Sequence, residues 1–264
     1  MLTTNREEYD IIVSLGGSCS AASQLKHRGR RPYSLPLDWS LMQDEQPIRS
    51  LPSLFRTKFA DFCLPENMEE FETPGDEYGV RKYHLLDRLT GYRMIHHFTA
   101  LPSDRRRFEE QRGVLMRRVD RLYGRMSSAK SALFVLNTVF PYDPKLLVPV
   151  RDALMEVFPC VDIDVVAMQF SAEGNGAVEL AGGKIKVDFI ERHLDIVYDN
   201  QFTAPEWRWM DHVRIAGVPE PKELRKNSLS VKWVYKLWWT MGKYLERKGA
   251  GCMCVRFMRF KRYR

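Results

Sequence analysis

The stretch YDIIVSLGGSCSAASQLKHRG, residues 9–29, decides how the rest of the chain is read. Ile11, Ile12, Val13 and Leu15 form an apolar, β-branched run between a charged lead-in and Gly16-Gly17, the pattern of a buried strand. A serine and a cysteine follow, and residues 19–28 read as a short helix closed by Gly29. This order sets Cys19 at a helix N-terminus, just beyond a strand. A thiolate is the reactive form of cysteine, and the positive end of a helix favours it. The two glycines allow a sharp turn, as in a nucleophile elbow, and leave the amides around Gly16, Gly17 and Ser18 to hold a developing oxyanion or another anion. Packing is the plain alternative, because free cysteine is among the most buried residue types and Ser18 reads equally well as the helix N-cap.

Further along, the same kinds of signal recur. Residues 46–60 carry Leu51, Leu54, Phe55 and Phe59 at helical spacing, and YRMIHHF (92–98) reads as a strand. CLPENMEEFETPGDEYGV (63–80) is acidic and reads as irregular. Residues 103–126 predict a long helix capped by Ser103, and SALFVLNTVF (131–140) is the strongest strand. Asp143-Pro144 opens another helix, residues 161–170 another strand, and Gly182-Gly183 a hairpin. Strand and helix alternate, so the expected fold class is α/β, a three-layer sandwich with a largely parallel central sheet. In such sheets the working site lies at the carboxyl ends of the strands. Cys19 falls there, and so do His96-His97 and Asn137-Thr138. The expected division is an α/β domain over residues 1–215 and a helical, basic C-terminal extension over 216–264.

The totals narrow the function classes. The 264 residues are 44% hydrophobic and 12% aromatic, enough for a sizeable core and against disorder. Five cysteines with no regular spacing are not a disulfide framework, which points to a reducing, cytoplasmic setting. No apolar stretch is long enough to cross a bilayer. The net charge is +7. Its arginines gather in 105–125 and in the tail VRFMRFKRYR. No nucleic-acid motif accompanies them, and the aromatic, basic tail with Cys252 and Cys254 suits peripheral contact with an anionic membrane through residues 252–264. HExxH, CxxC, Walker A and GxGxxG are absent, so neither a metal nor another cofactor is expected.

His96 and His97 are adjacent on a strand, so they point to opposite faces and only one can serve Cys19, as its general base. Asp38, in SLPLDW beside Trp39, is placed either to orient that histidine or to cap the next helix. Asn137, at the end of the best strand, is a further orienting or oxyanion candidate.

These same residues carry a family resemblance. Residues 9–39 are similar to the opening block of the bacterial family described as papain-like cysteine peptidases (DUF1796): a strand ending in SLG, a cysteine three positions on, a helix, then a Ser and a D-W. The matching positions are Ser14, Leu15, Gly16, Cys19, Ser34, Asp38 and Trp39. A following H-D-F block resembles HHF, with His96 in the histidine place, His97 replacing the acid and Phe98 kept. RRVDRLY, ALFVLNT and EWRWMDHV are looser matches, and the likeness runs over roughly residues 9–215. It implies the nucleophile role for Cys19, the base role for His96 and an orienting role for Asp38. The departure at His97 leaves Asp38 or Asn137 to supply the orienting group if the family's acid does so. In papain itself the cysteine opens a long helix in a different layout, so the resemblance implies a Cys/His pair more than a papain fold.

The first expectation is therefore a Cys/His hydrolase or acyl transferase acting on a peptide, acyl or glycan substrate. The second is a glycosyltransferase-like enzyme of cell-envelope synthesis, with a sugar phosphate on the glycine joint and Cys19 only packing. The third is a non-catalytic binding domain.

Overall fold

A computed structural model describes residues 4–77, 80–171, 174–190 and 205–218. The helix-like run around Trp233, Trp238 and Trp239, the basic tail, Cys252 and Cys254 lie outside the described residues, as does nearly all of the expected extension over 216–264.

The chain is a mixed α/β protein, and its described residues form three sheets. The strand expected at the start is β2 (Ile11–Ser14), preceded by β1 (Glu8–Tyr9) and followed by α1 (Cys19–His27). Then come β3 (Ser40–Leu41), α2 (Gln46–Arg56), β4 (Met68–Glu77), β5 (Val80–Asp87), β6 (Arg93–Phe98), α3 (Arg105–Met126), β7 (Ser131–Asn137), α4 (Leu147–Val157), β8 (Asp162–Phe170), β9 (Gly176–Leu180), β10 (Ile185–Ile190) and β11 (Arg214–Ile215). One sheet has five strands in the order β2-β7-β8-β10-β9. β2, β7, β8 and β10 run parallel and β9 closes the edge antiparallel. The hairpin turn between β9 and β10 uses Ala181, Gly182 and Gly183, all at positive φ.

β7 shows why a parallel strand reads as continuously apolar. All seven of its residues are buried. Ala132, Phe134 and Leu136 enter one core, with Leu51 and Phe55 of α2, Leu115, Val119 and Leu122 of α3, and Val150 and Leu154 of α4. Leu133 and Val135 enter a second core with Ala21 and Leu25 of α1 and with Trp207, Trp209 and Met210. The aromatic segment around residue 207 thus packs on the domain, and β11 pairs in parallel with β1.

Two expectations change here. The acidic stretch after residue 63 is not irregular: β4 and β5 form an antiparallel hairpin in a four-stranded sheet of order β3-β6-β5-β4. β6, the strand of His96, belongs to this antiparallel sheet, so the histidine comes from a different sheet than the strand that leads to Cys19. The cap of α3 is also different: Asp104, not Ser103, accepts from the Arg107 amide.

At the opposite end of the parallel sheet, the Tyr9 hydroxyl donates to Asp164 at 2.7 Å in a buried setting. Asp164 also faces Lys184 at 3.2 Å and Asn5 at 3.0 Å. Tyr9→Phe removes one bond to a buried carboxylate, and chemical denaturation is expected to show a loss of about 1–2 kcal/mol; an unchanged midpoint would mean that water takes over the bond.

Candidate functional site

The turn between β2 and α1 is built on conformations that exclude side chains. Gly16 and Gly17 have φ of 82° and 95°. A Cβ on Gly17 would stand 2.2 Å from the carbonyl oxygen of Asn137, and one on Gly16 would stand 3.1 Å from that of Ser40. The Gly16 amide donates to Ser14 Oγ at 3.1 Å, and Gly17 is bridged to Leu41, its carbonyl accepting from Met42 N, so both glycines help to set the turn. The Tyr92 hydroxyl, buried behind it, donates to the Leu15 carbonyl at 2.8 Å.

Ser18 is the N-cap of α1, its hydroxyl accepting from Ser20 N. The same hydroxyl accepts from Asn137 Nδ2 at 2.7 Å. Asn137 therefore ties the end of β7 to the cap of α1, next to Cys19. Cys19 is the first residue of α1, partly exposed, where helix geometry leaves its amide and those of the first turn without carbonyl partners inside the helix. No acidic residue lies in that first turn. Among the described residues, Cys19, Cys63 and Cys160 form no disulfide.

His96 stands opposite, with its Nε2 3.4 Å from Cys19 Sγ. β6 is irregular here: Tyr83 pairs with Phe98 and Leu85 with Met94, so β6 carries two extra residues where it passes His96 and His97. Such a bulge re-aims side chains and is frequent beside sites. Trp39 holds the imidazole from one side, edge-on with ring centroids 5.9 Å apart. Its φ of 67° is unusual for a bulky residue and is kept only because the surroundings fix it. The Arg31 guanidinium lies 5.5 Å from the Trp39 ring centroid.

Asp38 is buried. Its Oδ2 accepts from Arg31 Nε at 2.6 Å and from Leu35 N at 2.8 Å, while Oδ1 has no hydrogen bond. These bonds fasten the loop that carries Trp39, so the contacts of Asp38 bear on His96 through that ring. Burial pushes its carboxyl above the usual range, against the pull of Arg31 and the Leu35 amide.

His97 does not share the site with His96. Both its ring nitrogens are shut away without a hydrogen bond. Burial, then the charges of Arg118 and His96, outweighs the nearby Asp38 backbone, whose approach to the ring falls short of hydrogen-bond geometry, and pushes its pKa down to about 3, so it is neutral at ordinary pH. In the unfolded chain it titrates near 6.5. Its contribution to stability is thus complete above pH 6.5 and is lost as pH falls toward 3, because only the unfolded chain takes the proton. From pH 6.5 to 5.5 the wild type is expected to lose about 1 kcal/mol more than His97→Phe in urea titrations. Asp38, with a raised value, works in the opposite sense nearer pH 4, which is why the upper window is the one to measure. Parallel slopes for the two proteins would show that His97 is solvated.

Among the described residues, no group of three or more His, Cys, Asp or Glu side chains is placed to hold a metal ion, and no helix is long and apolar enough to cross a membrane. With this geometry in place, comparison with known proteins is informative in one respect. The profile of the family described as "Putative papain-like cysteine peptidase (DUF1796)" matches residues 10–171, more than half of the chain. The chain belongs to this family. The DUF1796 match holds the whole arrangement of Cys19, His96, Trp39, Asp38 and Asn137, and it ends before the aromatic segment that covers the second core. Neither the curated proteins nor the solved structures searched contain a match.

Arg31 and Tyr92 are the members that sequence reasoning passes over. Arg31 closes a basic run, HRGRR, that reads as surface. Tyr92 opens the strand of His96, and nothing in the pattern tells its buried hydroxyl from an ordinary core tyrosine.

Proposed function

We propose that the protein is a cysteine-dependent hydrolase or acyl transferase in which Cys19 is the nucleophile and His96 the general base. The observation that carries this reading is the 3.4 Å contact of Cys19 Sγ with His96 Nε2 at the N-terminus of α1. His96 Nε2 takes the thiol proton. The thiolate attacks the carbonyl carbon of an amide or ester, and the amides of the first turn of α1 receive the oxyanion. As the tetrahedral intermediate collapses, the C–N or C–O bond breaks and His96 returns the proton to the leaving group. Water, or an acceptor amine or hydroxyl, then attacks the thioester, gives its proton to His96 and releases Cys19. Asp38 and Asn137 are positioning residues, one for the Trp39 loop and one for the turn. On this reading the site lies at the carboxyl end of a largely parallel sheet in a three-layer sandwich, with residues 216–264 as an appended basic segment.

The Gly16 amide is already engaged by Ser14 Oγ and Gly17 is bridged to Leu41, so the glycosyltransferase-like reading gains no support from the glycine joint. The test is to trap the thioester. Incubation with p-nitrophenyl acyl esters of graded chain length, followed by rapid acid quench and peptide mass mapping, is expected to show the acyl mass on Cys19, with none in Cys19→Ala. A library that leaves Cys19 unacylated while it modifies exposed nucleophiles would remove the proposal.

A further inference from the structure

The arginines of α3 divide into two groups. In its first half they are matched: Arg105 by Glu66 and Glu109, Arg106 by Glu110, Arg107 by Asp104, and Arg112 by the carbonyls of Ala60 and Phe62. In the second half the one acid, Asp120, pairs away from them with Lys58. Arg118 is half-buried and makes no hydrogen bond or ion pair among the described residues. Asp38 is the carboxylate that faces it, and Arg31 and Arg121 are like charges beside it. Asp38 is already engaged by Arg31. Arg121 donates to the Ser34 carbonyl at 2.7 Å, a contact that neutralises no charge.

Asp38 therefore serves two guanidiniums, Arg31 and Arg118, from two segments brought together by the fold, and Arg121 adds a third positive charge beside them. Withdrawing a cation from water without a counter-charge is costly, and the burial and like charges that press on Arg118 make that cost visible here. The cluster is joined to the candidate site through Arg31, which lies against the Trp39 ring whose edge meets His96. A guanidinium with free N–H groups is a ready bidentate partner for a carboxylate.

We propose that Arg31, Arg118 and Arg121 form an anion subsite of the Cys19/His96 centre, which selects acyl donors carrying a side-chain carboxylate. This rests on the nucleophile role of Cys19 argued above. The substrate class is then an acidic peptide or acyl chain, with its carboxylate completing the charge balance that Asp38 leaves unfinished.

A matched pair of thiol reagents tests it on the full chain: the bromoacetyl derivatives of glutamic acid α-amide and of glutamine α-amide, which differ in the charge of one side chain. Labelling is followed by peptide mapping, with the exposed Cys160 as reference in the same molecule. The glutamate reagent is expected to label Cys19 about tenfold faster than the glutamine reagent, with no such preference at Cys160 and a preference that shrinks as salt is raised. Arg118→Gln should reduce the ratio at Cys19 to that at Cys160. Arg106→Gln, an equal change of net charge at an exposed and paired position, should leave it intact. Equal rates for the two reagents at Cys19 in the wild type overturn the subsite and leave the hydrolase reading standing, as does a preference that survives Arg118→Gln. If Arg118→Gln does not fold, the wild-type ratio and its salt dependence decide alone. Labelling of Cys19 no faster than Cys160 by either reagent overturns the nucleophile reading and the subsite with it.

Discussion

Replacing His96 by alanine is expected to slow alkylation of Cys19 at pH 7 by about tenfold or more, because a cysteine without a partner is only a few per cent thiolate at that pH. The pH profile separates this from a change of access. With the imidazole 3.4 Å away to take the proton, iodoacetamide should react with wild-type Cys19 at a rate that varies little from pH 6 to 8. In His96→Ala the rate should climb with pH across the same range, in parallel with Cys160. A uniform slowing at every pH would mean that His96 only shapes the approach to the sulfur. An unchanged profile would detach His96 from the chemistry, and Cys19 would then be an ordinary capped-helix cysteine. The side chains around the pair argue for the steep result. Trp39 is held at a strained positive φ to stand against the imidazole, and a fold seldom keeps such a conformation at a bulky residue without use.

The legible part of this molecule is the part where local pattern and tertiary role coincide. β2 and β7 are buried on both faces, so their residues are apolar without interruption and nothing else fits that pattern. Gly16-Gly17 followed by Ser18 announces a turn and a cap, and both are there. The hairpin of β4 and β5 is illegible because its sequence is acidic, contains Pro74 and Gly75, and pairs through register shifts that break any alternation. The consequence reaches the site. His96 can be placed at a strand end from sequence, but its arrival from an antiparallel sheet, and its aim at Cys19 through a bulge, depend on that hidden hairpin. Asp38 shows the opposite limit. The sequence marks it as a residue with a local task, yet no spacing rule says whether a carboxylate seven residues from Arg31 will bond to it or reach across to a histidine. The lack of a hydrogen bond or ion pair at Arg118 among the described residues is likewise invisible in a helix whose first-half arginines are matched.

Gly17→Ala is expected to be the most damaging single methyl group in the chain. Two penalties meet at this position. The backbone φ of 95° lies where an L-residue is strained, at about 1–2 kcal/mol. The added Cβ would also stand 2.2 Å from the Asn137 carbonyl oxygen and 2.9 Å from its carbon, so backbone has to move, and overpacking of that kind typically costs about 1–3 kcal/mol. Together they come to roughly 2–5 kcal/mol, a large part of the 5–15 kcal/mol that holds an ordinary domain together, and thermal melting should fall by roughly 10 °C. The way the structure relieves the clash is as telling as its size. Asn137 can only retreat by loosening its bond to Ser18 Oγ, which caps α1 and sets the position of Cys19. The enhanced reactivity of Cys19 should therefore vanish in whatever fraction of Gly17→Ala still folds, even at low temperature. Gly182→Ala is the control: it sits at a φ of 65° on the β9–β10 turn with open space around it, so it carries the backbone strain without the clash. Its melting temperature should drop by only a few degrees with Cys19 unaffected. Equal losses in the two variants would mean that the Asn137 carbonyl moves aside freely, and the turn would then be a flexible joint instead of the rigid seat that a helix-terminal nucleophile needs.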